Sequence, residues 1–262
     1  MAAEGRLKGK KAFITGASRG IGRSIALEFA AEGADLFLLD LNDEALEEVA
    51  REAETRGAKA LPRRGDVTDP ESVEQAAAAA ERELGEIDVL VNCAGIFQSI
   101  AFLDYPVEEW RRVLEVNVTG SFLCAQAVLK RMTGRRRGKV INLASVSGRL
   151  GGKFRAGYST SKHAVIGLTR CIAVEFAEHG ITANAICPGM VDTEMFASVV
   201  AGDAENLGID NDAAWAGLQK RALQPRLLDP REIARLAVYL ASSDADGMTG
   251  QALTYSGGMV MQ

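Results

Sequence analysis

The chain of 262 residues has only six prolines, two histidines and four cysteines, and aromatic residues make up 6% of it. So few prolines, with 47% hydrophobic and 25% charged residues, describe one compact domain, or at most two small ones. Cys93, Cys124, Cys171 and Cys187 are scattered, with no Cys-x-x-Cys and no histidine at ligand spacing. Four free thiols fit a reducing cytoplasm and argue against a disulfide frame or a metal site. Positive charge is also short: 30 Lys and Arg stand against 35 Asp and Glu, a net charge of −5. A mildly acidic field is a poor one for nucleic acid or an anionic membrane. The first residues, Met1 to Arg6, lack the apolar stretch of a signal peptide. The longest charge-free interior stretch, Val89 to Leu103, is broken by Asn92, Gly95, Gln98 and Ser99, so no membrane span is expected. A cytoplasmic protein is the resulting expectation.

What is present is alternation. Apolar strand-like runs lie at Ala12–Thr15, Leu36–Leu39, Val89–Val91, Val140–Leu143, Ile181–Ile186 and Ala252–Tyr255, with a weaker one at Ala60-Leu61 before Pro62. Continuous apolar runs suit strands covered on both faces, which means a parallel sheet. Helical patterns fill the gaps: Gly22–Glu32, Asp43–Thr55 after Asn42 as N-cap, a third from Asp69-Pro70-Glu71, then Val107–Met132, Gly157–His179 and Pro230–Ala241. The pattern predicts a single doubly wound α/β domain over residues 1–262, a seven-stranded parallel sheet between two layers of helices.

The first strand runs into Thr15-Gly16-Ala17-Ser18-Arg19-Gly20-Ile21-Gly22 and then a helix. Glycines there let the backbone turn and approach a ligand closely, and the free N–H groups of the helix start suit a pyrophosphate. Asp40 closes the second strand, 24 positions after Gly16, where a dinucleotide-binding fold places the acid that holds the adenosine ribose. A carboxylate there accepts from both ribose hydroxyls and repels a 2′-phosphate, whereas Arg19 points the other way. Weighed together, they favour NAD over NADP.

Tyr158 and Lys162 sit one helical turn apart on one face. An ammonium so close is expected to lower the phenol pKa toward neutrality and fit the tyrosine for proton transfer. Ser145, just past the fifth strand, and Asn92 to Gly95, at the end of the fourth, fall at the same carboxyl rim of the sheet, where ligands bind. Asn117 lies inside a predicted helix, an unfavourable place for asparagine.

Thr15-Gly16-x-x-x-Gly20-x-Gly22, Asp66-Val67, Asn92-x-Ala94-Gly95, Asn117, Ser145, Tyr158-x-x-x-Lys162 and Pro188-Gly189-x-Val191-x-Thr193 stand in one order and spacing. In these the chain resembles the short-chain dehydrogenase/reductases along nearly its whole length. The resemblance implies a Rossmann-type fold and a nicotinamide-dependent oxidoreductase acting on an alcohol or ketone. Tyr158 would be the general acid/base and Ser145 would bind the reacting oxygen. Lys162 would hold the nicotinamide ribose, and Asn117 a water linking Lys162 to solvent. Gly16, Ser18, Arg19, Gly20, Ile21, Gly22, Asp40 and Leu41 would cradle the phosphates and ribose. Asp66, Val67, Asn92, Ala94, Gly95, Pro188, Gly189, Val191 and Thr193 would line the remainder of the cofactor. Cys93 replaces the family's usual second Asn, and Ser256 stands where an Asp is common.

The family places a substrate lid between about residues 190 and 224. A short helix from Asp212 to Leu223 is expected there, and Met190, Met195, Phe196 and Trp215 are candidate apolar walls. Phe97, Ser147 and Arg149 are expected to reach the pocket from the opposite rim. The C-terminal stretch looks like that of members acting on polyols, sugars or diols. The alternatives are an NADPH-dependent 3-oxoacyl-thioester reductase and, in a different class, a non-catalytic NAD-binding regulator. The helix after Gly157 is apolar nearly all round, so one face is expected to cover a partner subunit, in keeping with the family's homotetramers.

Overall fold

The computed structural model describes residues 5–261. Seven strands form one parallel sheet: β1 (Lys11–Thr15), β2 (Asp35–Asp40), β3 (Ala60–Arg64), β4 (Val89–Asn92), β5 (Gly138–Leu143), β6 (Ile181–Pro188) and β7 (Ala252–Tyr255), in the order β3-β2-β1-β4-β5-β6-β7. The order reverses between β1 and β4, where Thr15 pairs with Asn92, so the loops leaving these strands diverge and open a crevice.

Adjacent residues of one strand feed opposite cores, as the unbroken apolar runs require. Ile14 joins Phe29 of α1 (Gly20–Ala31), Leu46 of α2 (Asp43–Glu54) and Ile233 of α9 (Pro230–Ala241). Phe13, one residue earlier, stacks on Phe37 with ring centres 5.1 Å apart. It belongs with Ala77 of α3 (Pro70–Leu84), Val128 of α5 (Gly120–Met132) and Ile172 of α6 (Ala156–Phe176). Asn42 and Asp69 cap α2 and α3 through their side chains, and Pro70 opens α3.

Three elements differ from the sequence expectation. β3 continues through Pro62 to Arg64, because β3 is the sheet edge, where a missing N–H costs no ladder bond. The long helix 107–132 is α4 (Val107–Leu114) and α5 joined by one π turn, Glu115–Thr119, with Asn117 inside it. The segment between 190 and 224 carries α7 (Glu194–Leu207) ahead of α8 (Asn211–Gln219). Thr193 caps α7 through its hydroxyl, and Gly208 ends it in a left-handed turn.

Candidate active site

The crevice above β1 and β4 is a cleft of about 530 Å³, within the usual size of a ligand pocket. Its floor is the glycine loop. Gly16 has φ +66°, and a side chain there would lie 2.6 Å from the Ala94 N, so the loop can rest on the exit of β4 only as glycine. A side chain at Gly22 would meet the Gly16 carbonyl at 2.0 Å, which ties the start of α1 to the loop. No side chain caps α1 and no acid stands in its first turn. Its N–H groups therefore remain available to an anion.

Asp40 lines the cleft. One of its oxygens accepts from the Ser18 N–H and the other from the Asn42 N–H, each at 3.1 Å. Each oxygen keeps a further lone pair for a ribose hydroxyl. Arg19, at the cleft mouth, is paired with Glu194 of α7 at 2.6 Å. Glycine floor, open helix start and fixed carboxylate together suit a dinucleotide.

Most of the expected cofactor residues line this cleft: Gly16, Arg19, Gly20, Ile21, Gly22, Asp40, Leu41, Asp66, Val67, Ala94, Gly95, Tyr158, Lys162, Pro188 and Thr193. Gly189 and Val191 line the adjoining cavity instead. Ser18 is buried beneath the loop and reaches Asp40 through its backbone. The Asn92 side chain also faces inward, donating to Asn142 at 2.9 Å and to the Ser121 carbonyl at 3.2 Å. Its contribution is to join β4 to β5.

At the inner end of the cleft, Ser145 follows β5 and accepts a 3.1 Å hydrogen bond from the Ser147 N–H. Tyr158 lines both the cleft and the smaller cavity, of about 120 Å³, that contains Ser145. Phe97 holds the tyrosine ring edge-on at 5.2 Å. Lys162 Nζ lies 5.6 Å from the centre of that ring and donates to the Leu143 carbonyl at 2.7 Å. The expected acidic phenol is not what this arrangement produces. Burial pushes Tyr158 up to about 12, against the opposing pull of the Ser145 hydroxyl and of Arg155. Burial likewise lowers Lys162 to about 8. Desolvation is the largest cause of both shifts.

Asn117 is buried in the π turn. Its side-chain oxygen accepts from the Ile96 N–H at 2.8 Å, and its amide donates to the Ile96 carbonyl and to Ser161 Oγ, both at 3.0 Å. Ser161 donates in turn to the Tyr158 carbonyl at 2.7 Å. Asn117 thus binds the loop after β4 to the helix that carries Tyr158 and Lys162.

Of the expected substrate residues, Phe97, Ser145, Ser147, Tyr158 and Met195 line the small cavity. Trp215 stands behind it, edge-on to Phe196 with ring centres 5.8 Å apart. Arg149 turns toward the end of the sheet and donates to the Ala252 carbonyl, so it lines neither space. Arg221 lines the cavity and was not foreseen from the sequence; its place depends on how the chain runs after α8.

The family model described as enoyl-(acyl carrier protein) reductase matches residues 16–260. A short-chain type dehydrogenase/reductase from Mycobacterium marinum superimposes with a TM-score of 0.88 at 39% identity, covering 98% of this chain and 97% of that one. An actinorhodin polyketide ketoreductase solved with NADPH has a TM-score of 0.92 at 36% identity, covering 95% and 97%. The 2-keto-3-deoxy-L-fuconate dehydrogenase of Xanthomonas campestris is 39% identical over 97% of this chain and 81% of its own. Cleft and polar residues define an oxidoreductase that uses a nicotinamide dinucleotide. The chain belongs to the short-chain dehydrogenase/reductase family.

Proposed function

We propose that this protein interconverts a secondary alcohol of polyol, sugar or diol type and its ketone with NAD. The observation that carries the reading is the position of Tyr158, whose ring borders both the dinucleotide cleft and the small cavity with Ser145. A substrate in that cavity has its oxygen within reach of two hydroxyls and its carbon facing the cleft. When bound, the nicotinamide accepts or donates the hydride. The protein supplies orientation and the proton. Ser145 holds the substrate oxygen, Tyr158 gives that oxygen a proton in reduction or takes one in oxidation, and Lys162 places a positive charge beside the phenol.

Two observations support NAD. The Asp40 carboxylate lines the cleft, and the one cation of the glycine loop, Arg19, is committed to Glu194. A 2′-phosphate would meet a negative charge, and Arg19 could answer it only by leaving Glu194, an exposed pair that holds it weakly. NADPH in the related ketoreductase favours a second reading, reduction of a 3-oxoacyl thioester. A substrate panel followed by nicotinamide absorbance separates the two. Turnover of polyols, sugars or diols with NAD supports the first, and turnover confined to acetoacetyl thioesters with NADPH supports the second.

The intact Ser145, Tyr158 and Lys162 argue against the non-catalytic regulator. We further propose a single-domain cytoplasmic homotetramer. Val174 on α6 is 82% exposed and Phe122 on α5 is 46% exposed, apolar area that a second copy would cover.

A further inference from the structure

The small cavity beside Tyr158 has two guanidinium groups in its wall, Arg155 and Arg221, and no carboxylate. Arg155, just ahead of α6, is buried and paired with Asp203 of α7. Asp203 also accepts from Ser99 Oγ at 3.4 Å, and Asn206 donates to the Ser99 carbonyl at 3.1 Å, so α7 is fastened to the loop after β4. Arg221 follows α8 and is exposed, with no ion-pair partner among the described residues.

Asp203 pairs with Arg155 and leaves Arg221 without a carboxylate. Burial draws Arg155 below its usual range, Asp203 pulls it back, and the nearby charge of Arg221 lowers it further. One positive charge is left over beside a wall that is otherwise largely apolar, including Leu150, Phe196, Val199 and Leu218. Arg221 is exposed, so water screens its charge, yet on the cavity wall it is a cation open to an anion while Arg155 is paired. A guanidinium suits a carboxylate in particular, because its planar fork can donate to both oxygens. A neutral polyol would make no ionic bond to Arg221 and would place hydroxyls against the apolar wall.

We infer that Arg221 binds a carboxylate on the substrate, so that the natural substrate is a hydroxy acid or keto acid with its reacting oxygen at Ser145 and Tyr158. The inference rests on the proposed reaction and narrows its substrate class. The related dehydrogenase from Xanthomonas campestris is named for a keto sugar acid, in agreement with this chemistry.

Turnover is measured with whichever nicotinamide cofactor binds tighter in its reduced form, and binding with the oxidised form of that cofactor, which cannot give hydride to a ketone. The probes are an anionic keto sugar, 5-keto-D-gluconate, and a neutral one, D-fructose. Binding by calorimetry and turnover by absorbance are measured in parallel for the native protein, Arg221→Gln and Arg221→Lys, with thermal melting to verify folding. The acid should bind at least about tenfold tighter than the ketose. Arg221→Gln should weaken the acid roughly 10- to 100-fold and leave the ketose unchanged, as expected for a lost charge-assisted bond. Arg221→Lys should restore part of the loss. Equal binding of acid and ketose, or equal loss of both in Arg221→Gln, overturns the inference. Turnover separates this from the underlying reading. A ketose that is reduced while the acid shows no advantage removes the carboxylate site and leaves the reaction standing. An acid that binds through Arg221 but is never turned over removes the reaction and leaves the site standing.

Discussion

Lys162 Nζ stands 5.6 Å from the centre of the Tyr158 ring and is held by a 2.7 Å hydrogen bond to the Leu143 carbonyl at the end of β5. The ammonium is therefore fixed to the strand end, and its charge acts on the phenol through space. Burial keeps the phenol protonated, with its pKa pushed up to about 12, and lowers Lys162 to about 8.

The directions of these shifts set the pH dependence of the two half-reactions. A raised tyrosine pKa keeps the proton available for donation to a ketone throughout the neutral range. Oxidation needs the phenolate, which becomes more abundant with rising pH. The Lys162 charge that steadies the phenolate is present below about pH 8 and declines above it. Ketone reduction is expected to be fastest below about pH 8, and alcohol oxidation to increase from neutral into alkaline pH. Initial rates in both directions over one buffer series check this, and an acid optimum for oxidation would contradict it.

Cofactor choice is expected to turn on Asp40. Asp40→Asn keeps an oxygen for one of the two N–H groups, of Ser18 or Asn42, gives up the bond to the other and removes the charge. Like charges at close quarters cost several kcal/mol. The NADP-to-NAD ratio of kcat/KM should rise at least about tenfold in the variant, where each factor of ten is about 1.4 kcal/mol. An unchanged ratio would take Asp40 out of the ribose site.

Asn117→Ala should damage both stability and rate. It leaves both backbone groups of Ile96 without this partner and removes one of the two bonds of the Ser161 hydroxyl, which keeps the Tyr158 carbonyl. A buried group left unpaired costs about 1–3 kcal/mol. For a chain of this size each kcal/mol lowers Tm by about 2–4 °C. Because the same contacts fix Gly95 near Lys162, kcat should fall as well. Thermal melting and steady-state kinetics report the two effects. A variant with native Tm and native kcat would show that the π turn needs no asparagine.

Assembly is tested by light scattering at micromolar concentration. A tetramer is expected, and Val174→Asp on the exposed face of α6 should shift it toward smaller species. A native protein that scatters as a monomer would leave that face without a partner copy.

Much of this molecule was legible in the chain itself, for a physical reason. Strands covered on both faces must be apolar throughout, and Phe13 and Ile14 show it by entering opposite cores. The glycine loop was legible because Gly16 and Gly22 have no room for a side chain. α7 was missed although Thr193 and Gly208 mark its ends, because it lies on the surface with Asp203 and Ala204 its buried residues, and its apolar residues Phe196, Val199 and Val200 could equally line a loop. The tyrosine pKa was misjudged because spacing along a helix reveals a neighbouring charge but not the desolvation that opposes it. The place of Arg221 follows from how α7 and α8 pack beside the cavity, which no local pattern encodes.

The most direct test of the central claim is Tyr158→Phe, assayed for nicotinamide-linked turnover and, separately, for cofactor affinity. The expected result is a loss of about 10²–10⁴ in kcat, the usual contribution of a positioned acid/base, with the cofactor Kd within a fewfold of native. A phenylalanine variant that retains native turnover would contradict Tyr158 as the proton-transfer residue.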